Sequence, residues 1–407
     1  DARQAGALVN LAQIRFAEGS PASLRAADGL FARADAVTPE VGIARARVVI
    51  ALRLNDRSAA ARYRDYAARL AGAGQSPGDA ASRAELGAAL FEAGLLTEAE
   101  AELKAAVEAD PGNADAVVRL ARVYLARQDI PGAGRTLEAA VARGLESAPV
   151  YAQLAEVYER GGHIERAIPV MRLAIARDPG NETYRFRYGL LLTDASAPAA
   201  AVIRLEEAVR EFPGSARLWS ALGLARYKAG ANGKATRAFE RSIELDPAFA
   251  AAYAYLGMLR VDMGEYEAGV AQYEWALAAD PKLAVVHYLV ADAMLKQPAA
   301  DAARINECLR RAIELDPAFA PARLKLAIAY NRQNRFAEAA AELERVIKFA
   351  PDLAEPYYHL GRVYARLKRP QEARQAMAKY SQLSDAQKKQ GENERLDIMR
   401  RLAGVRF

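Results

Sequence analysis

Apolar residues in this chain recur at helical spacing, in short stripes separated by short polar breaks. Between Ala216 and Phe249, Trp219, Leu222, Gly223 and Tyr227 fall on one stripe. Gly230-Ala231-Asn232-Gly233 interrupts it. Ala235, Phe239 and Ile243 then form a second stripe that stops at Asp246-Pro247. Apolar positions three and four apart mark an amphipathic helix, and Gly or Asn followed by Pro marks the break between two of them. Each interval therefore predicts two helices. No segment carries a strand signal of any length.

The breaks are periodic. Asp110-Pro111 returns as Asp178-Pro179, Asp246-Pro247, Asp280-Pro281 and Asp316-Pro317, with Phe212-Pro213 and Ala350-Pro351 in the same phase. Successive prolines of this set lie 34 residues apart, except for one step of 68 and one of 36. Proline has no N–H to give a continuing helix and biases the preceding residue away from helical angles. A period of this length means a stack of one small unit, each contacting only its neighbours. In register, copies begin near Ala80, Ala114, Ala148, Glu182, Ala216, Ala250, Ala284, Ala320 and Ala354, which makes nine. The seventh is stretched by two residues around 296–302. Upstream, Leu11, Ile14, Ala27, Phe31, Ala34 and Pro39 fit one further copy. Residues 42–79 read as a degenerate one, with Val49, Leu52, Tyr63 and Tyr66 as its core.

The residue types sharpen the period into a resemblance. Tyr357, Leu360, Gly361, Tyr364, Ala373 and Met377 follow one pattern. So do Tyr151, Leu154, Ala155, Tyr158, Ala167, Met171, Ala174 and Pro179, and, in an earlier copy, Leu86, Gly87, Ala99, Leu103, Ala106 and Pro111. This pattern resembles the tetratricopeptide repeat. Small residues after the Leu and on the second helix let paired helices approach, and large residues fill the space between them. The resemblance implies an all-α, right-handed superhelical solenoid of stacked antiparallel helix pairs. Two degenerate pairs over 1–79, nine repeats over 80–383 and a capping helix over 384–407 are expected to form one continuous solenoid. First helices would line a concave groove, with second helices outside.

On that register the groove positions include Phe186, Leu190, Leu224, Tyr227, Met258, Tyr288, Asp292, Leu324, Ile328, Tyr358 and Arg362. The run is mostly apolar and aromatic. It reads either as a binding surface or as packing against the next repeat in a tight superhelix. Positions matching a chaperone-carboxylate clamp hold Ala152, Glu156, Phe186, Leu190, Ser220 and Leu224, so that Lys/Asn/Arg set is missing. Positions matching an asparagine ladder hold Gln153, Arg187, Ala221, Tyr255, Leu289 and Lys325, so the ladder is missing too. An extended or helical peptide held by apolar contacts fits better. The expected function is a non-enzymatic scaffold for a protein or peptide segment. The alternatives are end-to-end self-assembly, or the non-catalytic region of a larger enzyme.

Charge and candidate chemistry change this little. The formal net charge is +5 over 407 residues. From Leu360 to Phe407 there are 12 Lys/Arg against 5 Asp/Glu, so the excess is carried at that end. It reads as a solvated terminal helix or a surface for an acidic partner. Acids and bases mix through the other repeats, so no basic stripe for nucleic acid is expected. His163, His287 and His359 lie on separate repeats, without metal-ligand spacing. Cys308 stands alone. Gly230 to Thr236 fails the phosphate-loop spacing. No cofactor is implied. Asn181-Glu182-Thr183 is a glycosylation sequon in an inter-repeat turn. No apolar run is long enough to span a membrane. The chain begins at Asp1, as a processed or trimmed protein would, which leaves cytoplasm and export both open.

The two ends differ. Ser384-Asp385 can cap a last helix reaching Leu402, with Leu396, Met399 and Leu402 inside and Lys388, Lys389, Glu392, Glu394 and Arg400 in water. At the other end Leu8, Val9, Leu11, Ile14 and Phe16 spread apolar surface around the first helix. Either upstream sequence precedes it, or Leu8, Leu11 and Ile14 meet a partner. A head-to-tail contact that does not close would build a filament.

Overall fold

The structure, a computed structural model, describes residues 2–72, 80–297, 301–384, 398, 401 and 402. Among them are 22 α-helices and no strand. The chain opens with α1 (Ala2–Glu18), α2 (Pro21–Val37), α3 (Val41–Arg53) and α4 (Arg57–Gly72). It continues through α5 (Ala80–Glu92), α6 (Leu96–Ala109), α7 (Ala114–Ala126), α8 (Ile130–Ala142), α9 (Ala148–Arg160) and α10 (Ile164–Arg177). Next come α11 (Glu182–Asp194), α12 (Pro198–Glu211), α13 (Ala216–Lys228), α14 (Asn232–Leu245), α15 (Ala250–Asp262) and α16 (Tyr266–Ala279). The last are α17 (Ala284–Leu295), α18 (Ala302–Leu315), α19 (Ala320–Arg332), α20 (Phe336–Phe349), α21 (Ala354–Arg366) and α22 (Pro370–Ser384). Odd-numbered first helices pack on the even-numbered second helices that follow, as in α1 with α2, α5 with α6, α15 with α16 and α21 with α22.

Two compact units result, Asp1–Leu191 and Leu192–Phe407, with the boundary inside α11. In the first, Leu24, Phe31 and Ile50 centre one cluster, Leu90, Leu103 and Leu120 a second, and Leu137, Tyr151 and Met171 a third. In the second unit Phe239, Tyr255, Tyr273 and Phe319 are among the largest fully buried side chains.

The turn inside nine of the pairs has one geometry. Asn55, Gly94, Gln128, Gly162, Ser196, Gly230, Gly264, Asn334 and Lys368 each lie 14 residues after the start of their first helix, and all have positive φ. The next amide reaches back five residues: Leu95 N–H to Leu90 O at 2.9 Å, His163 N–H to Tyr158 O at 2.8 Å, and Glu265 N–H to Arg260 O at 2.9 Å. One left-handed residue closing the last helical turn in this way is the Schellman cap. The corresponding position of the stretched seventh copy, residue 298, lies outside the described residues.

Between pairs, both halves of the Asp-Pro dipeptide have a structural reason. The Asp246, Asp280 and Asp316 Oδ1 atoms accept the amides of Ala248, Lys282 and Ala318 at 3.0, 2.9 and 3.0 Å. Such a side chain imitates a backbone turn two residues on. The proline carbonyl is held by a donor six residues later, whatever its type. Trp219 Nε1–H donates to Pro213 O at 3.1 Å, Arg323 Nη2–H to Pro317 O at 3.2 Å and Tyr357 O–H to Pro351 O at 3.0 Å. His287 Nε2 stands 3.1 Å from Pro281 O. Burial pushes His287 below its ordinary pKa against this hydrogen bond, so neutral imidazole is favoured there.

Small residues do set helix approach. A Cβ on Gly223 would stand 2.6 Å from the Phe239 ring, and one on Gly257 would stand 2.6 Å from Tyr273 and 3.1 Å from the Gly269 carbonyl. The tyrosine that ends the repeat signature ties neighbouring pairs together within each unit. Tyr158 O–H donates to Glu138 at 2.7 Å with Arg166 over its ring at 4.1 Å. Tyr364 O–H donates to Glu344 at 2.8 Å with Arg369 at 4.4 Å. Burial first, then the carboxylate, pushes both hydroxyls up to about 12.

Candidate functional site

In each unit the candidate site is the face made by that unit's successive first helices. In Asp1–Leu191 the first helices α7, α9 and α11 carry a polar lattice. Arg122 Nε–H donates to Gln153 at 3.0 Å, and Gln153 Nε2–H donates to Glu156 at 3.0 Å. Arg187 reaches Glu156 at 3.3 Å and Glu159 at 3.4 Å. These groups satisfy one another across α7, α9 and α11. Phe186, expected in the groove, is 5% exposed, and Leu190 is half-buried.

In Leu192–Phe407 the first helices carry a mainly apolar set. Leu224, Tyr227, Met258, Tyr288 and Leu324 are all buried, so these expected groove residues lodge between neighbouring helices rather than standing open. The reading as packing against the next repeat accounts for their burial. Tyr227 O–H donates to Asp262. Ile328 and Tyr358 are half-buried and Arg362 is exposed. Arg362 donates to the Tyr358 hydroxyl at 3.1 Å, and the Tyr358 ring lies 5.3 Å from that of Tyr380.

Charged groups sit in this stretch as well, Asp262, Asp292, Lys296 and Lys325. Asp292 on α17 pairs with Lys325 on α19 at 2.9 Å and with Lys296 at 2.9 Å. Burial alone would raise its carboxyl. The two ammonium groups outweigh burial and hold it below the ordinary carboxylate value. Beside it is a recess of about 250 Å³ lined by Met258, Val261, Asp262, Tyr273, Tyr288, Leu289, Asp292, Lys296, Lys325 and Ile398. Three expected groove residues, Met258, Tyr288 and Asp292, therefore meet at one place.

Ile398 comes from the C-terminal segment expected to cap the final pair. Of that segment, Leu396, Met399 and the solvent-facing charges lie outside the described residues. Its described residues are helical. Ile398 is 8% exposed and Leu402 fully buried. Arg401 Nη1–H donates to Asp316 Oδ2 at 2.5 Å and lies 4.4 Å over the Phe319 ring. It also lines a recess of about 700 Å³ with Phe249, Ala251, Asp280, Leu283 and Val285. Sequence reading named Leu402 in this segment and missed Ile398 and Arg401. The available signal was their i, i+3, i+4 spacing with Leu402.

Other candidate chemistry is quiet. Burial pushes the half-buried Cys308 thiol up, against the nearby Arg304. Among the described residues no group of three His, Cys, Asp or Glu could hold a metal ion. No described helix is long and apolar enough to cross a membrane. Asn181 Nδ2–H donates to Asp178 at 2.9 Å, and its Oδ1 accepts the Thr183 amide at 3.1 Å, so the sequon amide serves as a turn and helix-start residue.

A tetratricopeptide repeat model matches residues 45–114, 153–216, 187–248 and 255–318, more than half the chain. The chain belongs to the tetratricopeptide repeat family. Further models of the family match residues 90–157, 329–368 and 354–387. Among solved structures, a tetratricopeptide repeat protein from Parabacteroides merdae is similar at 17% identity and a TM-score of 0.53. The match covers 61% of this chain and 98% of that one. Yeast Tom70 is similar at 14% identity and a TM-score of 0.51, covering 98% of this chain and 95% of its own. At these identities the likeness is one of fold. No curated protein matches the sequence. The tetratricopeptide assignment agrees with a stack of helix pairs.

Proposed function

We propose that the chain is a non-catalytic scaffold that holds a protein segment, in helical form, against the first-helix face of the Leu192–Phe407 unit. The observation that carries this reading is the recess joining Met258, Tyr288 and the Asp292–Lys325 pair, where an apolar wall and a fixed charge pair lie together. Apolar area supplies affinity there, and the charge pair sets register. The polar groups of α7, α9 and α11 in the Asp1–Leu191 unit satisfy one another instead.

A photo-crosslinking residue at position 328 on α19, compared with one at the exposed Ile203 on α12, tests the reading. The expected result is a protein crosslink from position 328 that Lys325→Glu weakens by about tenfold. Crosslinks confined to position 203 overturn it.

A second reading, end-to-end self-association, rests on α1. Leu11 is 44% and Ile14 60% exposed there, while Leu8 packs on the Phe31 cluster. Two exposed apolar side chains on one helix favour burial against a second copy. Light scattering should then show oligomers that Leu11→Glu/Ile14→Glu returns to monomer. A wild-type chain that stays monomeric at high concentration sinks this reading.

A further inference from the structure

We propose a second binding site, in the Asp1–Leu191 unit: a recess lined from α1, α3 and α5 that takes a lysine or arginine side chain of a partner's peptide segment. It lies apart from the groove proposed above and does not rest on it.

The recess holds about 610 Å³. That is an ordinary size for a ligand site, with room for a long side chain and its flanking backbone. α1 contributes Val9, Gln13 and Phe16, and α5 contributes Ser82 and Glu85. The turn before α3 brings Thr38 and Glu40. Phe31, Val41 and Ile43 are its buried wall. Val9, Phe16 and Ala46 are only half-buried, so they keep apolar surface within reach of a ligand.

The charge of the recess has one sign. Glu40 and Glu85 are the only charged residues among the 13 that line it, and both are exposed. Neither carboxylate meets a cation among the described residues. Glu40 is the N-cap of α3 and makes no capping hydrogen bond. The neighbouring arginines are committed elsewhere: Arg45 and Arg83 to Glu102 at 3.7 and 3.3 Å, and Arg47 to Asp28 at 2.8 Å. Arg53 lies over the Phe16 ring at 4.4 Å and is not part of the lining.

The occupant follows from this combination. An anion is repelled, and a neutral side chain gains nothing from either carboxylate. Lys and Arg carry an aliphatic stem that lies along apolar surface and a charged head that stays in water. The stem suits Val9, Phe16 and Ala46, and the head suits the two exposed carboxylates. Arginine has a further advantage, because its flat group stacks on aromatic rings, as Arg53 already does on Phe16.

The test uses the full chain and capped peptides Ala-Leu-Xaa-Leu-Ala with Arg, Gln or Glu at the centre. Calorimetry should show the arginine peptide binding about tenfold more tightly than the glutamine one, with the glutamate peptide weakest. That preference should shrink as salt is raised, because the carboxylates are exposed. In Glu40→Gln/Glu85→Gln the arginine and glutamine peptides should bind alike, whereas Glu207→Gln on α12 should leave the preference intact. Equal binding of the two peptides by wild type overturns the proposal. So does a preference that survives in the double variant, or no binding by any peptide. Wild type that self-associates, with association lost in the double variant, gives the recess to a second copy and overturns the assignment to a partner. Should the double variant melt early, Glu85→Gln alone decides: a preference cut several-fold supports the site, and an unchanged one overturns it.

Discussion

Phe239→Ala is expected to destabilise the chain by about 3–5 kcal/mol, the range for losing a fully buried aromatic side chain. Phe239 has no exposed surface, stacks on Tyr255 at 5.9 Å with 19° between rings, and fills the space left by Gly223. It thus joins α14 both to its own first helix and to α15 of the next pair. In a stack held by nearest-neighbour contacts, such a loss is local before it is global. Urea unfolding should lose a single midpoint, and hydrogen exchange should show α13 to α16 opening ahead of α1 to α8. A variant that unfolds in one step with an unchanged midpoint contradicts this packing.

Gly257→Ala is the second large effect. Alanine gains about 1 kcal/mol of helix propensity over glycine, so an exposed site would be stabilised. Here the new Cβ meets the Tyr273 ring at 2.6 Å and the Gly269 carbonyl at 3.1 Å. Tyr273 is 1% exposed and cannot swing away. The net result should be a loss of about 1–3 kcal/mol, the usual cost of overpacking. A double-mutant cycle with Tyr273→Leu checks the cause. In that smaller background the alanine should cost less, and purely additive effects would point elsewhere.

Much of this architecture was legible because its determinants are local. The Schellman turns, the Asp-Pro junctions and the Gly-to-aromatic approaches each involve residues close in sequence, and each recurs at the period. The donor to the proline carbonyl was harder to see. Trp219, His287, Arg323 and Tyr357 look unrelated as letters and share only an N–H or O–H at the right distance.

The site was half legible. Register gives the direction in which Met258 or Tyr288 leaves its helix, but not how near the next helix comes. That distance, set by glycines such as Gly257, decides whether a side chain is open or buried. Asp292 was placed on the right face, but its two lysine partners depend on the spacing of α17 and α19. Arg401 was unread because its carboxylate partner lies 85 residues away, beyond any periodic cue.

The Asp-Pro turn has one more consequence, for how such a chain changes length. The turn is closed by Asp and the amide two residues on, with the proline carbonyl held from just inside the next helix. Excising residues 247–280, one 34-residue period, would join Asp246 to Pro281 and write the same junction again. Every hydrogen bond of the seam would find its counterpart. Duplication would work in the same way, since cuts at Asp246, Asp280 and Asp316 leave ends of the same kind. A gene encoding such seams can gain or lose whole units by recombination without passing through a broken fold.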